Sequence, residues 1–312
     1  MFRSTLLVFF LAASIFADPF SFNVFSEAPP ALPRPEFFNG AENTKIAYFR
    51  FPASDEKAVL LFIHGGGAHS GAGYSFLARK LSLESGITVV LLDLRGHGIS
   101  QGERGDAGVS ANVNQDIKTM LEILKASGKP LLLGGHSSGA GAVLNFMTET
   151  KSDFLSGLLF ISPEFGFRSE TARDNLQEPF ATARIPVFIL SAFSGRHLFN
   201  SVRAVNFHYP ERILKQDPLL LDGITVSMAY ALTPEEPREQ FADLSVPVAI
   251  FIGQNDELID PAKLQPYIKS LGANPGSRSS LTILEGKTHL SVLTNVSPLI
   301  GTRLKELTEK PH

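Results

Sequence analysis

Short, uninterrupted apolar runs recur along this chain, separated by stretches with helical spacing. Ala58 to Ile63, Ile87 to Asp93, Leu131 to Leu133, Leu158 to Ile161, Val246 to Ile252 and Leu281 to Leu284 are such runs. They are too short for core helices and lack the polar–apolar alternation of a half-exposed strand. They read as strands covered on both faces. Between them, Tyr74 to Leu83 reads as a helix, and Val113, Ile117, Met120, Leu121 and Leu124 share one helical face. Strands alternating with helices predict an α/β fold, a doubly wound and mostly parallel sheet.

Ligands of such sheets bind beyond the carboxyl ends of the strands, so residues just after the apolar runs gain weight. The Leu131 run ends in Gly135-His136-Ser137-Ser138-Gly139, and small and apolar helix formers follow. A Gly-x-Ser-x-Gly between strand and helix is the sequence form of a strained turn that presents a serine hydroxyl. Gly98-Ile99-Ser100-Gln101-Gly102 matches the pattern equally well, but it sits in loop signal from Arg95 to Gly105. Ser137 is therefore the candidate nucleophile, and Ser100 a turn residue bonding its own loop.

A serine hydroxyl needs a base, and the base needs an orienting acid. After the Val246 run comes Gly253-Gln254-Asn255-Asp256, and after the Leu281 run comes Glu285-Gly286-Lys287-Thr288-His289. The chain order Ser137, Asp256, His289 is that of α/β-hydrolases. Glu257 and Asp260 compete with Asp256 in the same loop, and Asp260 before Pro261 suits a helix cap. Gly65-Gly66-Gly67 after Ile63 can bring backbone N–H groups close to a substrate. Gly66 and Ser138 are the candidate oxyanion donors.

Composition narrows the function class. With 312 residues and 44% hydrophobic content the core can be large. A net charge of -3 and the absence of Lys/Arg runs leave no footprint for nucleic acid. There is no cysteine and no paired-histidine metal spacing, so no metal or other cofactor is implied. Residues 1–17 carry an early arginine and then a thirteen-residue uncharged stretch, Thr5 to Ala17, the layout of a secretory signal peptide. Export to a bacterial periplasm or secretion is expected, with an N-terminal membrane association as the alternative. Residues 18–38 are rich in Pro and Phe and read as a linker or strap. Residues 39–162 and 244–312 form the expected core. The strand–helix rhythm breaks over 163–243, a helical lid inserted between two core strands. A helix from Leu293 to Leu307 is expected to close the chain.

The stretches Ile63 to Gly71, Asp93 to Gly105 and Gly135 to Gly139 resemble the monoacylglycerol lipase and lysophospholipase branch of the α/β-hydrolase fold. The resemblance implies a serine ester hydrolase acting through an acyl-enzyme on lipid acyl esters of lysophospholipid or monoacylglycerol type. It implies loop-shaping roles for His97 and Ser100. It also implies a lid whose Phe193, Leu198, Phe199, Phe207, Ile213, Leu219, Leu220, Leu221, Ile224 and Met228 suit an acyl chain. A thioesterase, a peptidase related to proline iminopeptidase, and a non-catalytic binding protein on the same scaffold stay open. So do a transient membrane-surface contact and the oligomeric state.

Overall fold

A computed structural model describes residue 22 and residues 28–174, 179–195 and 198–309. The expected signal peptide lies outside the described residues. An eight-stranded sheet forms the centre, built from β1 (Glu36–Asn39), β2 (Lys45–Phe51), β3 (Ala58–Ile63), β4 (Ile87–Leu92), β5 (Leu131–His136), β6 (Gly157–Ile161), β10 (Val248–Gly253) and β11 (Ser280–Leu284). Its order is β1-β2-β4-β3-β5-β6-β10-β11. From β4 across to β11 the pairs are parallel, while β1 and β2 join antiparallel at one edge.

Alternation within the apolar runs divides the core in two. Val59, Leu61 and Ile63 pack to one side with α2 (Ala111–Lys125) and α3 (Ser138–Thr150). Leu60 and Phe62 pack to the other with α1 (Tyr74–Glu84) and α11 (Pro298–Thr308). Both faces are covered, which explains why β3, β4 and β5 are apolar without a polar phase. The chain passes from β3 to β4 on one side and then to β5 on the other. That reversal is the topological switch point where such sheets form a crevice.

Three expectations need correction. The sheet starts at Glu36, inside the stretch read as linker, because Phe38 is buried and pairs with Ile46 across the β1–β2 ladder. The closing helix is split into α10 (Ser291–Thr294) and α11, since Pro298 cannot donate to a helix arriving from its N-terminal side and instead starts a new one.

The third concerns the insertion between β6 and β10, which is not purely helical. It holds α4 (Ile185–Phe193), α5 (Glu211–Gln216), α6 (Val226–Leu232) and α7 (Pro237–Ala242) beside a three-stranded antiparallel sheet. That sheet comprises β7 (Ala181–Ala183), β8 (Arg203–Phe207) and β9 (Gly223–Thr225). Such short strands lack enough length for a period-2 pattern to stand out. After β10, α8 (Gln265–Ser270) and α9 (Ala273–Ser277) lead to β11.

Candidate active site

Strand β5 ends at His136 and α3 begins at Ser138, so Ser137 alone makes the turn. Its φ of 52° and ψ of -128° lie outside the favoured regions for a residue with a side chain. Such a conformation costs on the order of 1–3 kcal/mol and persists only where neighbours over-determine it. Here the Ser137 N–H donates to the Ile161 carbonyl at 3.1 Å, and its carbonyl accepts from Ala140 at 3.0 Å and Glu164 at 3.1 Å. The flanking glycines are required by close approach: a Cβ on Gly135 would overlap Gly139, and one on Gly139 would overlap the His64 carbonyl.

Ser100 serves a different purpose. Its hydroxyl donates to the Asp93 carbonyl at 2.6 Å and accepts from the Ala47 N–H at 2.8 Å, tying the 93–105 loop to β2. His97 is fully buried, with Nδ1 3.0 Å from the Arg95 carbonyl.

Asp256 and His289 come together at the carboxyl ends of β10 and β11. His289 Nδ1–H donates to the Asp256 carboxylate, with distances of 2.9 and 3.0 Å to its two oxygens, and both residues are buried. The carboxylate also accepts from Leu258 at 3.0 Å and Ile259 at 2.9 Å. Burial alone would raise the Asp256 pKa, but the imidazole's charge and these hydrogen bonds prevail and hold it below the usual range. Burial likewise opposes charge on His289, yet the Asp256 carboxylate outweighs it and the pKa is raised.

The two competing acids are engaged elsewhere. Glu257 accepts the His289 backbone N–H at 2.9 Å, and Asp260 caps the 3-10 turn at Pro261 through Ala262. Arg173 grips the acid loop from the insertion, donating to the Asp256 carbonyl and, at 2.7 Å, to that of Gln254.

Gly66 and Ser138 meet because β3 and β5 are neighbours, with Ile63 opposite Gly135. A Cβ on Gly66 would sit 3.0 Å from the Ser138 hydroxyl. His64 fixes the peptide between Gly65 and Gly66. Its Nε2 accepts the Leu94 N–H at 3.1 Å, so the ring proton is on Nδ1, which donates to the Gly65 carbonyl at 2.8 Å. Burial pushes the His64 pKa down to about 4, keeping the ring neutral at pH 7. Ala68 N–H donates to the same carbonyl at 3.2 Å. Because a trans peptide is planar, pinning this C=O aims the Gly66 N–H the opposite way. Ser138 is the first residue of α3, where an N–H has no partner in the helical ladder.

Two further residues join these parts. The Tyr74 hydroxyl accepts the Gly65 N–H at 2.8 Å and donates to His136 Nδ1 at 3.0 Å. His136 Nε2–H in turn donates to the His289 carbonyl at 3.1 Å. Burial, then the charge of His289, lowers the His136 pKa to about 3, so it stays neutral. Sequence reasoning read Tyr74 as a helix start and His136 as the variable position of the pentapeptide. The available signal was a histidine at the carboxyl end of a buried strand, a position shared with His64.

Ser137 and His289 both line a cavity of about 280 Å³ at this end of the sheet. Of the insertion residues expected to meet an acyl chain, Ile213 and Leu220 line it. Ile224 and Met228 are instead packed into the core, and Phe207 lies against Gly66 and Gly67. Phe193, Leu198 and Phe199 face solvent. Phe22, Phe180, Tyr209 and Asp217 complete walls that no local sequence pattern marked.

Residues 54–293 match the family described as Serine aminopeptidase, S33. The chain belongs to this family. Among curated relatives, a monoacylglycerol lipase of Mycolicibacterium smegmatis is 30% identical over 239 residues, covering 72% of this chain and 80% of the relative. An uncharacterized abhydrolase domain-containing protein of Dictyostelium discoideum is 27% identical over 217 residues, covering 67% of this chain. This chain spans only about a fifth of that protein's length (22%). Among solved structures, a soluble variant of the monoglyceride lipase of Saccharomyces cerevisiae in complex with a substrate analog superposes with a TM-score of 0.71. It is 21% identical and covers 91% of this chain and 98% of its own. The fold is that of the α/β-hydrolases, in the monoacylglycerol lipase branch.

Proposed function

We propose that this α/β-hydrolase cleaves carboxylic esters of lipid type through an acyl-enzyme formed on Ser137. The observation that carries the proposal is Ser137 held at positive φ on a cavity that His289, paired to Asp256, also lines. Ser137 Oγ attacks the ester carbonyl while His289 takes its proton. With Nδ1 engaged by Asp256, that transfer runs through Nε2. Asp256 stabilises the resulting imidazolium, as the opposite pKa shifts of the pair support. The N–H groups of Gly66 and Ser138 receive the oxyanion, each worth about 10²–10³ in rate. His289 then protonates the leaving alcohol, and water attacking the acyl-enzyme repeats the sequence to release the acid.

A lipid substrate is supported by the relatives and by α4. Its Ile185, Ile189, Leu190 and Phe193 are exposed, Phe193 by 86%, a concentration of apolar surface suited to a lipid interface. Among the described residues no helix is long and apolar enough to cross a membrane.

The test is a substrate panel on purified protein: p-nitrophenyl butyrate, a monoacylglycerol, a lysophospholipid, an acyl thioester and a peptide with N-terminal proline. Turnover of the oxygen esters above the others, lost in His289→Ala, is expected. Preference for the thioester or the peptide would replace the proposal with one of those activities.

A further inference from the structure

The wall of the cavity away from the sheet combines aromatic rings with one carboxylate. Tyr209 packs edge-to-face on Phe180 at 4.9 Å and tilts against Phe22 at 5.7 Å, and all three line the cavity. Asp217 lines it too, with Gln216, at the carboxyl end of α5.

Among the described residues Asp217 has no lysine or arginine partner, and its one basic neighbour is His69. His69 Nδ1 accepts the Gly71 N–H at 3.1 Å, so the ring carries its proton on Nε2, which donates to Asp217 at 2.8 Å. That bond orients the carboxylate on the cavity wall. The second carboxylate oxygen accepts the Leu219 N–H at 3.1 Å. Burial works against ionisation of Asp217, but the His69 hydrogen bond prevails and its pKa is lowered. No lysine or arginine is among the described residues lining the cavity. Arg104 reaches the Leu219 carbonyl from outside that lining.

Ring faces carry negative potential and attract ammonium groups that approach within about 6 Å. An ionised carboxylate in a partly desolvated wall adds to that attraction. An anionic substrate would meet that carboxylate with no lysine or arginine among the described lining residues to offset it.

We propose that this wall binds the alkylammonium group of a cationic carboxylic ester, between the rings of Tyr209, Phe180 and Phe22 and the Asp217 carboxylate. The proposal rests on the serine esterase reading and names its substrate class: acyl esters of quaternary amino alcohols. Hydrolysis would release the fatty acid and the amino alcohol, with water as the only co-reactant.

The experiment compares butyrylcholine with 3,3-dimethylbutyl butyrate, which replaces the quaternary nitrogen by carbon at equal shape. The native protein is expected to favour the cation in kcat/KM by about tenfold, from ring and carboxylate together. A ratio at or below one overturns the proposal.

In Asp217→Asn the ratio should collapse toward one. Both esters are read in the same variant, so a general loss of activity cancels, and an unchanged ratio overturns the proposal. A second measurement needs no variant: choline should inhibit p-nitrophenyl butyrate hydrolysis about tenfold more strongly than 3,3-dimethylbutanol, and equal inhibition counts against the site. If the native protein turns over no ester, the esterase reading fails. Calorimetric binding of choline against 3,3-dimethylbutanol then decides the cation site by itself.

Discussion

Replacing Tyr74 with phenylalanine removes one oxygen and cuts a chain of hydrogen bonds that spans the site. The hydroxyl accepts from Gly65 at 2.8 Å and donates to His136 Nδ1 at 3.0 Å, and both partners are buried. The ring is retained, so its packing near Phe62 (6.1 Å between centroids) stays and no cavity forms. The cost is two buried polar groups without partners, each worth about 1–3 kcal/mol. A loss of about 2–4 kcal/mol is expected, read by urea unfolding as a lower midpoint at unchanged slope.

Activity should fall for a separate reason. The Gly65 N–H precedes the peptide that carries the Gly66 donor, and His136 anchors the His289 carbonyl. Misplacing donors by a fraction of an ångström costs on the order of 10–10² in rate. The loss should fall on kcat more than KM, because the oxyanion exists only in the transition state. The assay is p-nitrophenyl butyrate hydrolysis on folded protein. Stability within 0.5 kcal/mol of native, roughly the limit for an uncoupled surface change, together with native kcat, would refute this account of Tyr74.

Four further outcomes follow from the same geometry. Ser100→Ala orphans the Ala47 N–H and the Asp93 carbonyl, and should lower stability by about 2–3 kcal/mol in urea melts. It should leave fluorophosphonate labelling of the folded fraction intact. Asp256→Asn should reduce kcat about 10⁴-fold and move the acid limb of kcat/KM to lower pH. The native limb lies above the ordinary histidine value because the carboxylate raises the His289 pKa. For stability, the ion pair contributes fully between about pH 4 and pH 6.5, is lost as pH rises through the raised folded value of His289, and is lost in acid as pH falls through the lowered folded value of Asp256, read as urea midpoints across pH. Substituting serine for Ile189 and Phe193 should weaken vesicle co-sedimentation while leaving hydrolysis of a soluble ester unchanged, which separates interfacial contact from chemistry.

Much of this architecture was written locally. Runs such as Ala58 to Ile63 can only be strands covered on both faces, and the order of glycine turns after them places Ser137, Asp256 and His289 at one end of the sheet. The two Gly-x-Ser-x-Gly segments could be told apart because only one lies between an apolar run and a helix-forming stretch.

Contacts made across long sequence distances were not legible. Phe38 joins the sheet because Ile46 pairs with it, and nothing in the Pro-rich stretch announces that. Strands β7 to β9 are set by one another rather than by their own composition. Tyr209 and Asp217 reach the glycine loop over more than a hundred residues, through Gly66 and His69. Ser138 and Gly66 were foreseeable as neighbours once β3 and β5 were paired. The pinning of the Gly65–Gly66 peptide by His64 depends on the Leu94 N–H, which comes from beyond β4 and sets the imidazole tautomer.

The central claim is that Ser137, and not Ser100, is the nucleophile. It is tested most directly by labelling the native protein with a fluorophosphonate and locating the adduct by peptide mass spectrometry. A single adduct on Ser137, absent in folded Ser137→Ala, is the expected result. Modification of Ser100, or labelling that persists in Ser137→Ala, would contradict the account.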